Sequence, residues 1–288
     1  MADGPGTSEV KKESGGGLVA VLAWPFEVIG GRLLDTLGHI GELFFLFLEA
    51  MGWVVRAACS RKVRLGRSAI VSQLVRTGVQ SIFIVSLVSG SVGLILTLQL
   101  APPLDQFGQR ALIANIISVA VLRELGPLIG AIVLTGFAGA AIAAEIGTMV
   151  VSEEIEALEA GALNPVRFLV VPRILATIMA MTGLGVISSF VSISASIGVS
   201  IVVLDIPFET YFRNMESQAK MVDFLTGLSK GTIFGGLIGI IACGNGLKVT
   251  GGAAGVGLAT TRTVVQCVVA IVLADLVFTA IFFALDLV

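Results

Sequence analysis

The sequence predicts an all-α integral membrane protein, and three observations carry that prediction. Its 288 residues are 56% hydrophobic and 13% charged, with a mean hydropathy of +1.00, whereas soluble domains carry about 25% charged residues. The apolar residues fall into long runs near 78–100, 111–150, 168–203, 231–247 and 264–285, and roughly 20 residues at about 1.5 Å rise cross the hydrocarbon of a bilayer. Lipid satisfies no backbone hydrogen bonds, so such runs are helical. A membrane β-barrel would instead alternate in weak segments of about ten residues.

Residues 1–17, MADGPGTSEVKKESGGG, are polar and glycine-rich and read as a disordered tail. The apolar stretch that follows Lys11 and Lys12 is interrupted by Pro25 and Glu27 and has no clear small-residue cleavage site, so it does not read as a secretory signal. From Leu33 to Val55 apolar residues recur at helical spacing with Asp35, Glu42 and Glu49 among them. That pattern predicts a helix lying in the membrane interface or entering it partway. It belongs to an 18–76 region that ends in the basic run Arg61, Lys62, Arg64, Arg67 and Arg76.

Five spans account for 77–288. The positive-inside rule places the basic run and the loops around 150–173 and 246–263, with Arg167, Arg173, Lys248 and Arg262, on the cytoplasmic side. The opposite loops contribute Arg110, Arg213 and Lys220, with Lys230 at a boundary, against Asp105, Asp205, Glu209, Glu216 and Asp223. The N-terminus is thus expected inside and the C-terminus outside.

The second span is too long for a straight crossing, since a helix over 112–151 would measure roughly 60 Å. It is expected to be broken, tilted or extended beyond the bilayer, with Gly126-Pro127 as the natural break. A broken turn leaves carbonyls that need polar partners, which marks the adjoining Arg123 and Glu124 as candidates for a wet or polar site. Ionisable groups in the membrane cost about 2.5–3.5 kcal/mol on insertion scales and usually face a cavity or a partner. Arg123, Glu124, Glu145 and Asp275 are the strongest such groups, with Gln99 as a polar neighbour. Arg123 and Glu124 point about 100° apart on a helix, which disfavours a simple mutual pair. Asp275 is read as bonding to neighbouring helices or serving a site, and Glu145 as lying at the cytoplasmic headgroup level.

Small residues form two rows in GAIVLTGFAGAAIAAEIG: Gly136, Ala140 and Ala144, and Gly139, Ala143 and Gly147. Gly235 and Gly239 repeat the pattern, and such rows let helix backbones approach closely, within one subunit or across a dimer. Between spans, SEEIEALEAGALNP at 152–165 predicts a short acidic helix with Ser152 as its cap, Gly161 at its end and Asn164-Pro165 blocking continuation. It is either a solvated connector or a docking helix. The glycine-rich GLKVTGGAAGVGLATTR at 246–262 lacks a phosphate-binding G-x-x-x-x-G-K-[ST], so this chain is not expected to bind ATP and these glycines read as shaping a tight loop. Cys59, Cys243 and Cys267 form no C-x-x-C and read as packing residues. His39 is the only histidine, so neither a Ser-His-Asp site nor a multi-histidine metal centre is expected within one chain.

The strings LRELGPLIGAIVLTG, GAAIAAEIGTM, SEEIEAL, NPVRFLVVPRI and GGAAGVGLATTRTVV, spread over roughly 120–265, resemble the MlaE-type (YrbE) permeases of ABC lipid transporters. The resemblance implies a homodimer in the cell inner membrane, each subunit with an N-terminal interfacial or elbow helix and five spanning helices. It further implies two cytoplasmic ABC ATPase subunits that use ATP and Mg, a periplasmic MCE-domain protein that exchanges phospholipid with the permease in support of outer-membrane lipid asymmetry, and often a small STAS-domain protein. No cofactor, metal or nucleic acid is expected on this chain. By the same resemblance 152–163 is the coupling helix, with Glu153, Glu154, Ile155 and Leu158 docking the ATPase. The resemblance also implies substrate-binding roles for Arg123, Glu124 and Leu125, which match the family's segment beside the lipid cavity, and for Leu96, Gln99, Leu104 and Phe107, which match its first-span region. Many relatives carry arginine in TGRxGAA where this chain has Phe137, so any role of that arginine is absent here. A secondary transporter using Glu124, Glu145 or Asp275 as proton sites stays open as the alternative.

Overall fold

A computed structural model describes residues 17–59 and 66–285. The expected tail, save Gly17, and the basic residues Arg61, Lys62 and Arg64 lie outside the described residues. The chain divides into two units, 1–44 and 45–288. Helix α1, Gly17–Cys59, begins in the first and runs through Pro25. A proline removes one helical hydrogen bond without having to end the helix. In the first unit Leu34, Leu37, Ile40 and Phe44 are exposed, as an interfacial apolar stripe requires.

In the second unit the described residues form helices and no strand. After the end of α1 come α2 (Arg67–Thr77) and, beyond a short 3₁₀ turn, α3 (Ile82–Gln106). Then come α4 (Leu112–Ala120), α5 (Gly126–Leu134) and α6 (Ala140–Val151), followed by the short α7 (Glu154–Ala160). Helices α8 (Val171–Val202), α9 (Phe208–Gln218), α10 (Met221–Leu247) and α11 (Gly252–Ala284) complete the chain. Five stretches are long and apolar enough to cross a membrane: Ser68–Gln106, Leu112–Val151, Val166–Val202, Met221–Leu247 and Gly252–Ala284.

The second span is not broken at Gly126-Pro127. It continues through two wide π-helical turns, Val121–Leu125 and Thr135–Gly139. The first of these carries the chain to Pro127 with a hydrogen bond from the Gly126 N–H to the Val121 carbonyl, so the missing proline N–H is accommodated by widening the turn and the helix continues. The same device recurs where the wide turn Val166–Val170 precedes Pro172.

Helices α8 and α10 sit at the centre of the bundle: α8 packs on α3, α5 and α10, and α10 also on α6 and α11. Glycines permit this closeness. A Cβ on Gly93 would lie 2.2 Å from the Ser192 carbonyl oxygen, and one on Gly235 2.6 Å from that of Thr177. Across the α3–α8 contact Ser89 and Ser188 hydroxyls pair at 2.7 Å, Thr97 donates to Ser196 at 2.8 Å, and Ser192 donates to the Ser89 carbonyl at 2.7 Å. Each such bond is worth about 0.6 kcal/mol between membrane helices, so the ladder fixes register more than it adds stability. Of the two small-residue rows, Gly139, Ala143 and Gly147 are buried within the subunit, whereas Gly136 is exposed with nothing near its Cβ position. Cys243 and Cys267 are buried, free thiols, as packing residues should be.

Candidate functional site

The first π-helical turn sends Arg123 and Glu124 in different directions, and each finds its own partner on α10. Arg123 Nε donates to Asp223 Oδ1 at 2.5 Å, while Asp223 Oδ2 accepts the Lys220 backbone N–H at 2.8 Å and so caps α10. Lys230 Nζ donates to both Glu124 oxygens at 2.6 Å, to Asp275 Oδ1 at 3.0 Å and to Thr279 Oγ1 at 2.9 Å. The Thr279 hydroxyl lies 3.0 Å from Glu124 Oε1 and 2.9 Å from the Asp275 carbonyl, and the Phe282 ring sits 5.9 Å from the ammonium. Lys230 is 1% exposed, yet Glu124 keeps 34% and Arg123 22% of its side chain open. A lysine with two carboxylates is an ionic network whose burial is sustained only by mutual pairing.

Asp275 thus bonds to neighbouring helices. Lys230 and Asp223, assigned from sequence to a boundary and a loop, are instead core residues of α10. The signal was present: Asp223 and Lys230 are seven residues apart and share a helix face, with charges opposite to the Arg123-Glu124 they meet.

A second ionic group lies toward the other end of the span. Glu145 is bound by Arg76 from α2 and by Arg173 from α8, the latter at 3.4 Å. Arg173, read from sequence as a loop residue, is buried in the first turn of α8 and also donates to the Leu169 carbonyl at 2.9 Å. The 22 residues from Arg123 to Glu145 cover roughly 33 Å of helix, close to the ~30 Å hydrocarbon thickness. The two ionic groups are therefore separated along the span by about the thickness of the hydrocarbon.

Leu96, Leu104 and Leu125 pack together against the cluster of Ile113, Ile117, Val121 and Tyr211, whereas Gln99 and Phe107 lie on the exposed surface of the chain. Tyr211 is buried and its hydroxyl lies 2.9 Å from Ser196 Oγ. Burial pushes its phenol up from the usual value, the Ser196 hydrogen bond opposing. Phe137 sits in the second π-helical turn, 42% exposed.

On α7, Glu153 and Glu154 are exposed while Ile155 and Leu158 are half-buried. Ser152 does not cap this helix: Glu153 takes the cap position with φ 59°, and Ser152 Oγ donates to Glu154 Oε1 at 2.9 Å. Gly161 ends α7 as expected, and Ala162 takes the left-handed turn at φ 57°. Asn164 does more than stop a helix. Its Oδ1 accepts the Arg167 N–H at 3.0 Å and its Nδ2 donates to Glu49 at 3.2 Å, while the Arg167 guanidinium lies over Trp53 at 5.5 Å. The α7 hairpin is thereby tied to the end of α1. In the glycine-rich loop Gly251 and Gly252 adopt φ 85° and 67°, conformations that glycine supplies without strain. Burial, then the nearby Arg262 charge, lowers the Lys248 ammonium pKa.

Comparison with known proteins agrees with this architecture. The family described as Permease MlaE matches residues 70–281. A probable ABC transporter permease protein of Rickettsia bellii is 32% identical over 255 residues, covering 88% of this chain and 96% of the relative. A probable ABC transporter permease protein of Synechocystis is 34% identical over 74% of this chain and 81% of its own length. The Arabidopsis thaliana protein TRIGALACTOSYLDIACYLGLYCEROL 1, chloroplastic, is 34% identical over 74% of this chain and 61% of its own length. With its five membrane-spanning helices and this match across the bundle, the chain belongs to the MlaE permease family and is a transmembrane permease subunit.

Proposed function

We propose that this chain is the permease of an ATP-driven ABC transporter that moves phospholipid between the inner membrane and a periplasmic MCE-domain carrier. On this reading two copies form the pathway, cytoplasmic ATPase subunits hold the ATP and Mg, a STAS-domain protein can accompany them, and this chain carries no cofactor of its own. Its N-terminus is cytoplasmic and its C-terminus periplasmic. Relatives named as ABC transporter permeases support the ATPase partnership, and one named for a diacylglycerol lipid supports the substrate class.

The observation that carries the reading is Arg123. Among the described residues only its Nε is bonded, to Asp223, which leaves the two Nη groups as a fork for a phosphodiester. Leu96, Leu104 and Leu125, partly buried against the core cluster, supply apolar surface for acyl chains, and Glu124 is held in place by Lys230. Exposed Gln99 and Phe107 extend the lining once a second copy closes the pathway. Force from the ATPase enters at Glu153, Glu154, Ile155 and Leu158 on α7. It reaches α8 through the Asn164–Arg167 turn, and the glycine contacts let α8 and α10 slide past each other with little obstruction.

The test is lipid retention. Purified Arg123→Ala protein should carry less phospholipid than wild type, and full retention would make the arginine a structural residue only. A second reading, proton-coupled transport, is favoured by the two carboxylates on one Lys230 ammonium. It requires no ATPase, so co-purification of a nucleotide-binding subunit separates the two.

A further inference from the structure

A cavity of about 200 Å³ opens beside the Arg76–Glu145–Arg173 group, between the end of α2 and the stretch 137–145. At about 30 Å³ per water it has room for several, far more than an ion pair needs. Gln73, Arg76 and Gln80 come from one side of the sequence, and Phe137, Ala141 and Ile142, with Glu145, from the second span. The charge does not balance, since two guanidiniums share the one Glu145 carboxylate. Arg76 is 51% exposed, and Glu145 is its only hydrogen-bond partner among the described residues. Gln73 Oε1 is buried without a hydrogen-bond partner, a costly state unless a donor sits opposite it.

We propose that this cavity binds the headgroup of a phospholipid with a hydrogen-bond donor, such as phosphatidylglycerol or phosphatidylethanolamine. The lipid phosphate pairs with Arg76, the Gln73 side chain turns its unpartnered Oε1 toward the lipid's hydroxyl or ammonium, and the glycerol and first methylenes lie on Phe137 and Ile142. A basic pocket between helices at the membrane face is the setting in which anionic headgroups are held. The site is separate from the one at Arg123, since roughly a bilayer thickness of helix lies between them. The inference rests on the function proposed above only for the side of the membrane on which the pocket opens.

Native mass spectrometry of the purified full-length chain, titrated with phosphatidylglycerol, phosphatidylethanolamine or phosphatidylcholine, tests this. Wild type should retain the first two with roughly tenfold preference over phosphatidylcholine, which has the phosphate but no donor. Gln73→Leu should erase the preference, and Ala141→Phe, which fills the cavity without replacing a charged residue, should abolish binding. Arg123→Ala should leave this lipid in place while losing the other. Equal retention of all three lipids by wild type and both cavity variants overturns the proposal. So does displacement by millimolar inorganic phosphate, which would make the pocket a free-anion site. Loss of every lipid in Arg123→Ala overturns this site and leaves the earlier reading standing.

Discussion

Replacing Lys230 with methionine keeps an unbranched side chain one atom shorter and removes the cation that joins Glu124, α10 and α11. In the wild type its ammonium donates to Glu124, Asp275 and Thr279 within 3.0 Å. Deleting one partner of a buried ionic group costs about 3–5 kcal/mol, because the remaining charges stay behind unpaired. Glu124 is 34% exposed and Asp275 17%, so water relieves part of the cost and the lower end, about 3 kcal/mol, applies. At about 2–4 °C per kcal/mol for a protein of this size class, the melting midpoint in detergent should fall by roughly 6–12 °C. Adding Glu124→Gln and Asp275→Asn removes the stranded charges and should return most of that loss, a coupling of about 2 kcal/mol. The assay is thermal unfolding followed by the fraction that stays monodisperse. A single variant that melts with the wild type, or a triple variant no better than the single, would refute the claim that the network is held by charge pairing.

Glycine positions give a sharper contrast. Gly227→Ala should prevent normal folding, because its Cβ would meet the Leu122 carbonyl oxygen at 1.9 Å, whereas Gly136→Ala, with nothing nearby, should express and melt like the wild type. Tyr211 is the only tyrosine, so ultraviolet absorbance should show it ionising above the ordinary value of about 10. Because the native pKa is raised by burial, stability is intact below about pH 10 and falls as pH climbs through the native value. Tyr211→Phe should lack that alkaline loss, and ionisation at or below about pH 10 would contradict the burial argument. Leu158→Asp combined with Glu153→Lys should uncouple ATP hydrolysis from lipid in the reconstituted complex, and unchanged coupling would remove the docking role from α7.

The spans were legible in the sequence because membrane helices advertise themselves by length and composition. So was the divergence of Arg123 and Glu124, which follows from helical spacing alone, and the end of α7 at Gly161. What escaped were features that depend on a tertiary partner. Lys230 looked like a boundary charge because burial in the membrane becomes tolerable only once Glu124 and Asp275 arrive from two other helices. Proline suggested a break at 126–127, yet a π-helical turn lets the helix run on through it. The Ser152 cap failed for a local reason: the chain reverses at Glu153 in a left-handed conformation, so Ser152 stays with the preceding helix. The polar ladder between α3 and α8 was hidden because isolated serines in apolar runs carry no directional signal.

On the proposed function, fuel spent by a partner drives phospholipid past Arg123. Reconstituting the permease with its ATPase in vesicles and following transfer of a labelled phospholipid to an acceptor measures that directly. Transfer should depend on ATP hydrolysis, ignore an imposed pH gradient, and drop sharply in Arg123→Ala. Transfer that proceeds without ATP and follows the pH gradient through Glu124 and Asp275 would contradict it.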